Sequence, residues 1–265
     1  MTLQYLIALV CFAGSCHQAA LAADQIFVTN EGSGDVSVID VHTDQVVATI
    51  ALGGKPRGLA TCANDPYLYV SNQHQSQLQA IDTRTQKVDK TLTLGDSPEA
   101  VNCSPDGQWL AIANEDSNSV SLVSTRSFKV EFNIPVKGKN PEHAVFSPDG
   151  KLLLVSAEDA DQVDVVDLST RQQTGSVRVG QRPRGITFSP DGRTAYWADT
   201  AAHQVRAFDF DPTTGQLSAP RVFHQMAPKP AGWSWGDHSP YGGRPDGATV
   251  DSEGCYWSAQ YEGQR

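Results

Sequence analysis

Residues 140–157 read NPEHAVFSPDGKLLLVSA, and three features of this stretch recur along the chain. The first is a frame of Pro, a variable residue, a mostly small residue and an apolar run. It appears as KPRGLAT from Lys55, SPEAVNC from Ser97, NPEHAVF from Asn140, RPRGITF from Arg182 and GRPDGATVD at 243–251. The second is Ser-Pro-Asp-Gly at 104–107, 147–150 and 189–192, weakened to Ala63-Asn64-Asp65-Pro66 and Asp251-Ser252-Glu253-Gly254. The third is a strand ending in small or polar residues: FVTN at 27–30, YVSN at 69–72, AIAN at 111–114, LVSA at 154–157 and YWAD at 196–199. The frame prolines fall at 56, 98, 141, 183 and 245, so the unit is 42 or 43 residues long until a last step of 62.

Inside a unit the apolar period is two, β-branched residues are frequent, and turn chemistry separates the runs, which is the pattern of strands. In the second unit Arg57–Thr61 reads as an inner strand. Tyr67–Asn72 and Gln77–Asp82 follow, and Lys87–Leu94 reads as the outer strand. No amphipathic helical pattern appears. Four antiparallel strands in about 42 residues are a propeller blade, which must stack on its neighbours because one blade cannot bury both faces. The expected fold is therefore all-β: a β-propeller of four-stranded antiparallel blades, five to six of them visible.

The count does not come out whole. The first unit (26–52) offers three strands, the next four offer four each, and the sixth offers Gly247–Val250 and Cys255–Tyr261. One solution is a five-bladed ring closed by Gly247–Val250. The favoured one is an incomplete six- or seven-bladed ring, by truncation or fusion, with an exposed sheet edge.

With 265 residues, 39% hydrophobic, the chain suffices for a substantial core. A net charge of −10 opposes binding to nucleic acid phosphates. The first 23 residues carry no charge, Tyr5–Ala13 is apolar, and Ala20-Leu21-Ala22 suits a cleavage site. Residues 1–22 thus read as a secretory signal peptide, with a lipoprotein processed at Cys16 as the alternative, and 23–265 as the propeller. The expected location is the periplasm or the exterior, with no transmembrane segment after leader removal. Of the remaining thiols, Cys62, Cys103 and Cys255, a Cys62–Cys103 bond is one option, and buried unpaired cysteine is the favoured one.

Residues 24–190, through IFVTNEGSGDVSVID, LYVSN and VFSPDGKLLLVS, resemble the YVTN-repeat propellers, a resemblance specific for fold and weak for function. Residues 185–265, through AYWADTAAHQVRAFDFDPTTGQLSAPRVF and GRPDGATVDSEGCYWSA, resemble the gluconolactonase/regucalcin-like lactone hydrolases. That second resemblance implies a divalent cation (Ca²⁺, Mn²⁺ or Zn²⁺) held in part by Asp246, which would also serve in proton transfer. It is incomplete. The family's asparagine between Pro and Gly is Arg184 here, and a guanidinium has no lone pair for a metal. The family's first-blade glutamate has no counterpart.

In a propeller the loops entering the inner strands meet at one channel mouth. Arg57, Glu99, Glu142, Arg184 and Asp246 should form a ring there, either neutralising one another or lining a site. The 62-residue step marks an insertion at 226–244, whose Trp233, Trp235, His238 and Tyr241 read either as an aromatic substrate lid or as a self-packed loop. His143 reads as a packing residue. Glu158, Asp159 and Asp161 read as a solvated hairpin tip rather than a calcium loop. Two functions follow: a binding or accessory module for a small molecule or a periplasmic protein, and, as the alternative, a metal-dependent sugar lactone hydrolase.

Overall fold

The computed structural model describes residues 25–234 and 241–263. The leader, Trp235 and His238 lie outside the described residues.

The markers of the repeat account for the strands. Each Ser-Pro-Asp-Gly is a hairpin whose serine hydroxyl donates to the aspartate two residues on, at 2.5 Å (Ser104–Asp106), 2.7 Å (Ser147–Asp149) and 2.6 Å (Ser189–Asp191). The glycine follows at φ near +70°, a backbone state open to it at little steric cost. Strands run to either side. The first sheet holds β1 (Gln25–Asn30), β2 (Asp35–Asp40) and β3 (Gln45–Ala51). The second holds β4 (Pro56–Thr61), β5 (Tyr67–Asn72), β6 (Gln77–Asp82) and β7 (Lys87–Thr93). The third holds β8 (Pro98–Cys103), β9 (Trp109–Asn114), β10 (Ser119–Ser124) and β11 (Lys129–Pro135). The fourth holds β12 (Pro141–Phe146), β13 (Leu152–Ala157), β14 (Gln162–Asp167) and β15 (Gln172–Arg178). The fifth holds β16 (Pro183–Phe188), β17 (Thr194–Asp199), β18 (Gln204–Phe210) and β19 (Leu217–Gln225). The sixth pairs β20 (Arg244–Val250) with β21 (Tyr256–Tyr261).

All pairings are antiparallel between chain neighbours. The inner strands β4, β8, β12, β16 and β20 follow one another around the axis, each against the next. The fold is a β-propeller. The described residues contain no α-helix, and no helix is long and apolar enough to cross a membrane.

Apolar clusters fill the gaps between sheets, where single blades would leave faces wet. Val36, Ile50, Leu68 and Ile81 pack between the first two sheets, Tyr69, Leu110 and Val123 between the second and third. Phe146 and Leu153 meet Ala111 and Leu122 in the next gap. In the last of these clusters Trp197, fully buried, lies 3.9 Å between ring centroids from Phe208, with Leu154 and Ile186 around them.

Cys62 and Cys103 form a disulfide, Cα–Cα 5.6 Å, where unpaired burial was expected. The reason is positional: Cys62 follows β4 and Cys103 ends β8, so adjacent inner strands bring equivalent ends of two blades side by side. Cys255 is free and exposed.

Candidate functional site

Every inner strand carries a register break just after its proline. The shifts fall between Pro56 and Leu59, Pro98 and Val101, Pro141 and His143, Pro183 and Ile186, and Pro245 and Ala248. A bulge leaves one residue unpaired and re-aims its side chain. The variable member of each frame lies within this break, with the small residue after it in four of the five, and the five variable residues, Arg57, Glu99, Glu142, Arg184 and Asp246, line one cavity of about 400 Å³ with Glu31, His143 and Gly247. Hydroxyls hold the bulged backbone in place: Ser71 receives Gly58 N at 2.9 Å, Ser156 receives His143 N at 3.1 Å, and Thr200 Oγ1 donates to Pro245 O at 2.7 Å. Small residues follow the variable one because the next strand passes close. A Cβ on Gly185 would lie 2.5 Å from the carbonyl oxygen of Asp246.

The ring falls into two electrostatic halves. In one, Arg57 Nε sits 2.7 Å from Glu99 and Nη1 2.5 Å from Glu31, which Lys55 also pairs at 3.0 Å. Gln73 donates to Glu99 and to Ser97 Oγ, whose hydroxyl reaches Glu115 at 3.1 Å. Burial pushes Glu99 up to about 7, with Arg57 pulling it down and Glu115 adding to the rise. Burial works against the charge of Arg57 too, but Glu99 and Glu31 outweigh it and raise its pKa.

In the other half one guanidinium serves three carboxylates. Arg184 Nη2 lies 3.1 and 3.3 Å from the two oxygens of Glu158 and 3.5 Å from Glu142, while Nη1 lies 3.3 Å from Asp246. Arg182 also pairs with Glu158. Burial, then a hydrogen bond to Glu158, raises Glu142 far above the ordinary carboxylate range, and the nearby charge of Arg184 only partly offsets them. Burial acts upward on Glu158 as well, but its bond from Glu142 and the two guanidiniums win and lower it. Burial and the bond between them thus set the two apart, Glu142 favouring its protonated form and Glu158 its carboxylate. Burial lowers the pKa of His143, against the pull of Asp246, so its imidazole is neutral at pH 7.

Three features escaped the sequence. Glu158 is 2% exposed, not part of a solvated tip, because the short 3₁₀ turn Glu158–Ala160 folds it inward under Arg184. Glu115 joins the ring from the second hairpin of its blade. His143 lines this cavity and a second one, about 470 Å³, formed by the inner strands. The insertion behaves differently again. Trp233 and Tyr241 are buried edge to face at 5.4 Å, with His203 Nε2 3.0 Å from the Tyr241 hydroxyl and Lys229 over Trp233 at 4.6 Å. Neither lines the channel-mouth cavity. The two residues pack on each other, and Tyr241 ties the loop to His203 of the fifth blade.

Glu115, Glu142 and Glu158 each offer a carboxylate oxygen, all within 4.8 Å of one another, an acidic cluster of the kind that holds metal. Arg184 already lies against two of its members. At Asp246 the same guanidinium occupies the carboxylate. As arranged, the donor set does not fit a divalent cation: its charge is met from within, and a bound ion would stand beside a fixed positive group. A check on this balance is the titration of Glu99. Its carboxyl should show an NMR midpoint near 7, and Arg57→Met should move the midpoint higher, since desolvation stays and the attraction goes. Because the folded midpoint exceeds the ordinary 4.5, the stability Glu99 contributes is complete below 4.5 and is lost as pH rises through about 7. Glu99→Gln should flatten that slope in urea melts taken across the interval.

Comparison with known proteins gives a match of residues 21–265 to a family model described as the SMP-30/Gluconolactonase/LRE-like region. It includes residues 24–190, where sequence motifs alone pointed to YVTN repeats. A 6-deoxy-6-sulfogluconolactonase of Pseudomonas putida is 38% identical over 102 residues, 38% of this chain and 30% of that protein. Regucalcin of Danio rerio is 36% identical over 81 residues, 31% of this chain and 23% of that protein. The matched segments thus span less than a third of these relatives. Hydrazine synthase of Kuenenia stuttgartiensis superposes with a TM-score of 0.71 at 20% identity, over 87% of this chain and 68% of that one, a likeness of fold.

Proposed function

The chain belongs to the SMP-30/gluconolactonase/LRE-like family, and we propose that its channel mouth hydrolyses a sugar lactone, the neutral cyclic ester of a polyhydroxy acid. One observation carries the reading. A bulge aims Asp246 and another aims Glu142 at either side of the Arg184 guanidinium, in a single cavity of about 400 Å³, a size usual for a small-molecule site.

The chemistry uses residues of the chain. Water attacks the lactone carbonyl, and Asp246 takes the proton it loses. Arg184 meets the charge that develops on the carbonyl oxygen. As the tetrahedral intermediate collapses, the ring C–O bond breaks, and the proton held on Glu142 passes to the departing alkoxide. The product is an open-chain hydroxy acid. Its new carboxylic acid group loses its proton to solvent, and the resulting carboxylate faces Glu31 and the now ionised Glu142, whose charge favours release. Proton transfer from Asp246 back to Glu142 restores the site.

The test is base consumption during glucono-lactone opening, corrected for the uncatalysed rate. Asp246→Asn should lower kcat/KM by about 10²-fold, the contribution of a general base, with the melting temperature retained. A wild-type rate equal to the uncatalysed one sinks the proposal. The pairing of both Arg184 Nη groups with carboxylates favours a second reading, a binding module for a neutral polyol or a periplasmic protein. Retained ligand binding without turnover would point there. We also infer a periplasmic or secreted setting, supported by the Cys62–Cys103 bond, which persists in oxidising compartments. Fractionation of cells expressing the chain with its leader tests this.

A further inference from the structure

We infer that Arg184 is a built-in substitute for a divalent cation: its guanidinium occupies the place among Glu142, Glu158 and Asp246 where an ion would otherwise be held, and so excludes one. This goes beyond the proposed hydrolysis, because it concerns what the cavity can bind, whatever its substrate. The argument starts from charge. Three carboxylates converge from two blades, Glu142 and Asp246 from inner strands and Glu158 from a hairpin turn, with Glu142 and Glu158 almost wholly buried. Left alone, such groups recruit either protons or a hard cation. Here Arg184 reaches all three, Glu142 at 3.5 Å, Glu158 at 3.1 Å and Asp246 at 3.3 Å. Its side chain is itself 19% exposed, its Nε is buried without a hydrogen-bond acceptor, and the bulge after Pro183 points it inward. A buried donor left unmatched is a cost, and it is tolerated where the two Nη groups carry the carboxylates. Glu115, the remaining oxygen donor within 4.8 Å of Glu142 and Glu158, is the member of that cluster that Arg184 does not pair.

The role differs from that of an exchangeable ion. A guanidinium is permanently charged, cannot be chelated away and presents planar donors, where an ion would present an open coordination position. A cavity so equipped holds the carbonyl oxygen of a neutral ligand without needing metal, and its affinity for that ligand is indifferent to chelators.

The experiment is isothermal titration of the full chain with MnCl₂ and, separately, CaCl₂, after treatment with EDTA and desalting. Wild type should show no saturable binding at millimolar metal. Arg184→Gln, which keeps hydrogen-bonding capacity but removes the charge, should bind one ion per chain at least about tenfold more tightly than wild type. Added MnCl₂ should also raise its melting temperature. Arg184→Met, of similar length and unable to ligate, is the second variant, and its binding would then come from the carboxylates alone. Saturable binding in wild type that Glu142→Gln or Asp246→Asn abolishes would overturn the inference. So would folded Arg184→Gln and Arg184→Met proteins that both stay indifferent to metal. If neither variant folds, manganese-induced broadening of the His143 ring signals in wild type decides: broadened signals overturn the inference, and unaffected ones support it. Because every readout is metal binding, failure here leaves lactone hydrolysis standing, and failure of hydrolysis leaves this intact.

Discussion

Gly185→Val is expected to lower folding stability by at least about 3 kcal/mol, the upper end for overpacking, and to abolish any activity that relies on Asp246. The reason is what surrounds the missing side chain. A Cβ at this position would meet Asp246 O at 2.5 Å, Ala248 N at 2.7 Å and Gly247 Cα at 2.8 Å. All three are backbone atoms of β20, so no rotamer change relieves the clash. The strand itself must move, against the Thr200 hydroxyl that ties Pro245. Displacement separates Asp246 from Arg184, which it now meets at 3.3 Å. Gly175→Val is the control, since a Cβ there has nothing within 4 Å. Urea denaturation followed by circular dichroism compares the three proteins. A Gly185→Val protein as stable as wild type would show that β16 and β20 do not pack backbone against backbone at this point.

Loss of the Cys62–Cys103 bond should cost about 4 kcal/mol, from the chain-entropy model for a loop closed over 41 residues. The bond joins the inner strands of two neighbouring blades, so it removes configurations of the unfolded chain that separate β4 from β8. The paired variant Cys62→Ser with Cys103→Ser should show this in urea melts. Wild type in excess reductant should match it, because the remaining cysteine described, Cys255, is unpaired. Equal stability of oxidised and reduced protein would mean that blade packing alone fixes this junction.

Much of this architecture is readable from spacing. Tyr67–Asn72 and Gln77–Asp82 were delimited correctly by alternation between turns. Convergence of five residues on one mouth followed from repeat phase, since equivalent positions in stacked blades share one height along the axis. The bulges were not readable. An extra residue in a strand leaves alternation intact on either side and shows only as a pairing partner gone missing. Without them the direction of Arg57 or Asp246 is undetermined. Glu158 illustrates a different failure. Its hairpin, Glu-Asp-Ala-Asp, has the composition of a wet turn, and burial came from Arg182 and Arg184, more than twenty residues later in the chain. Ion pairs of that separation leave no local mark. The cysteines fall between these cases: their spacing places them in adjacent blades, but a bond requires the 5.6 Å approach that coordinates supply. Trp233 and Tyr241 looked suited to a lid by composition. Their packing on each other is a matter of loop geometry that an insertion rich in Pro and Gly does not encode legibly.

The register break beside each frame proline has a bearing on how such a rim can diversify. Because the variable residue sits where the ladder shifts, exchanging it alters the chemistry of the opening without replacing a residue of the regular register. Positions 57, 99, 142, 184 and 246 therefore behave as linked sockets: each charge is met by another, so a combinatorial library restricted to them should return folded proteins chiefly where the charges stay balanced.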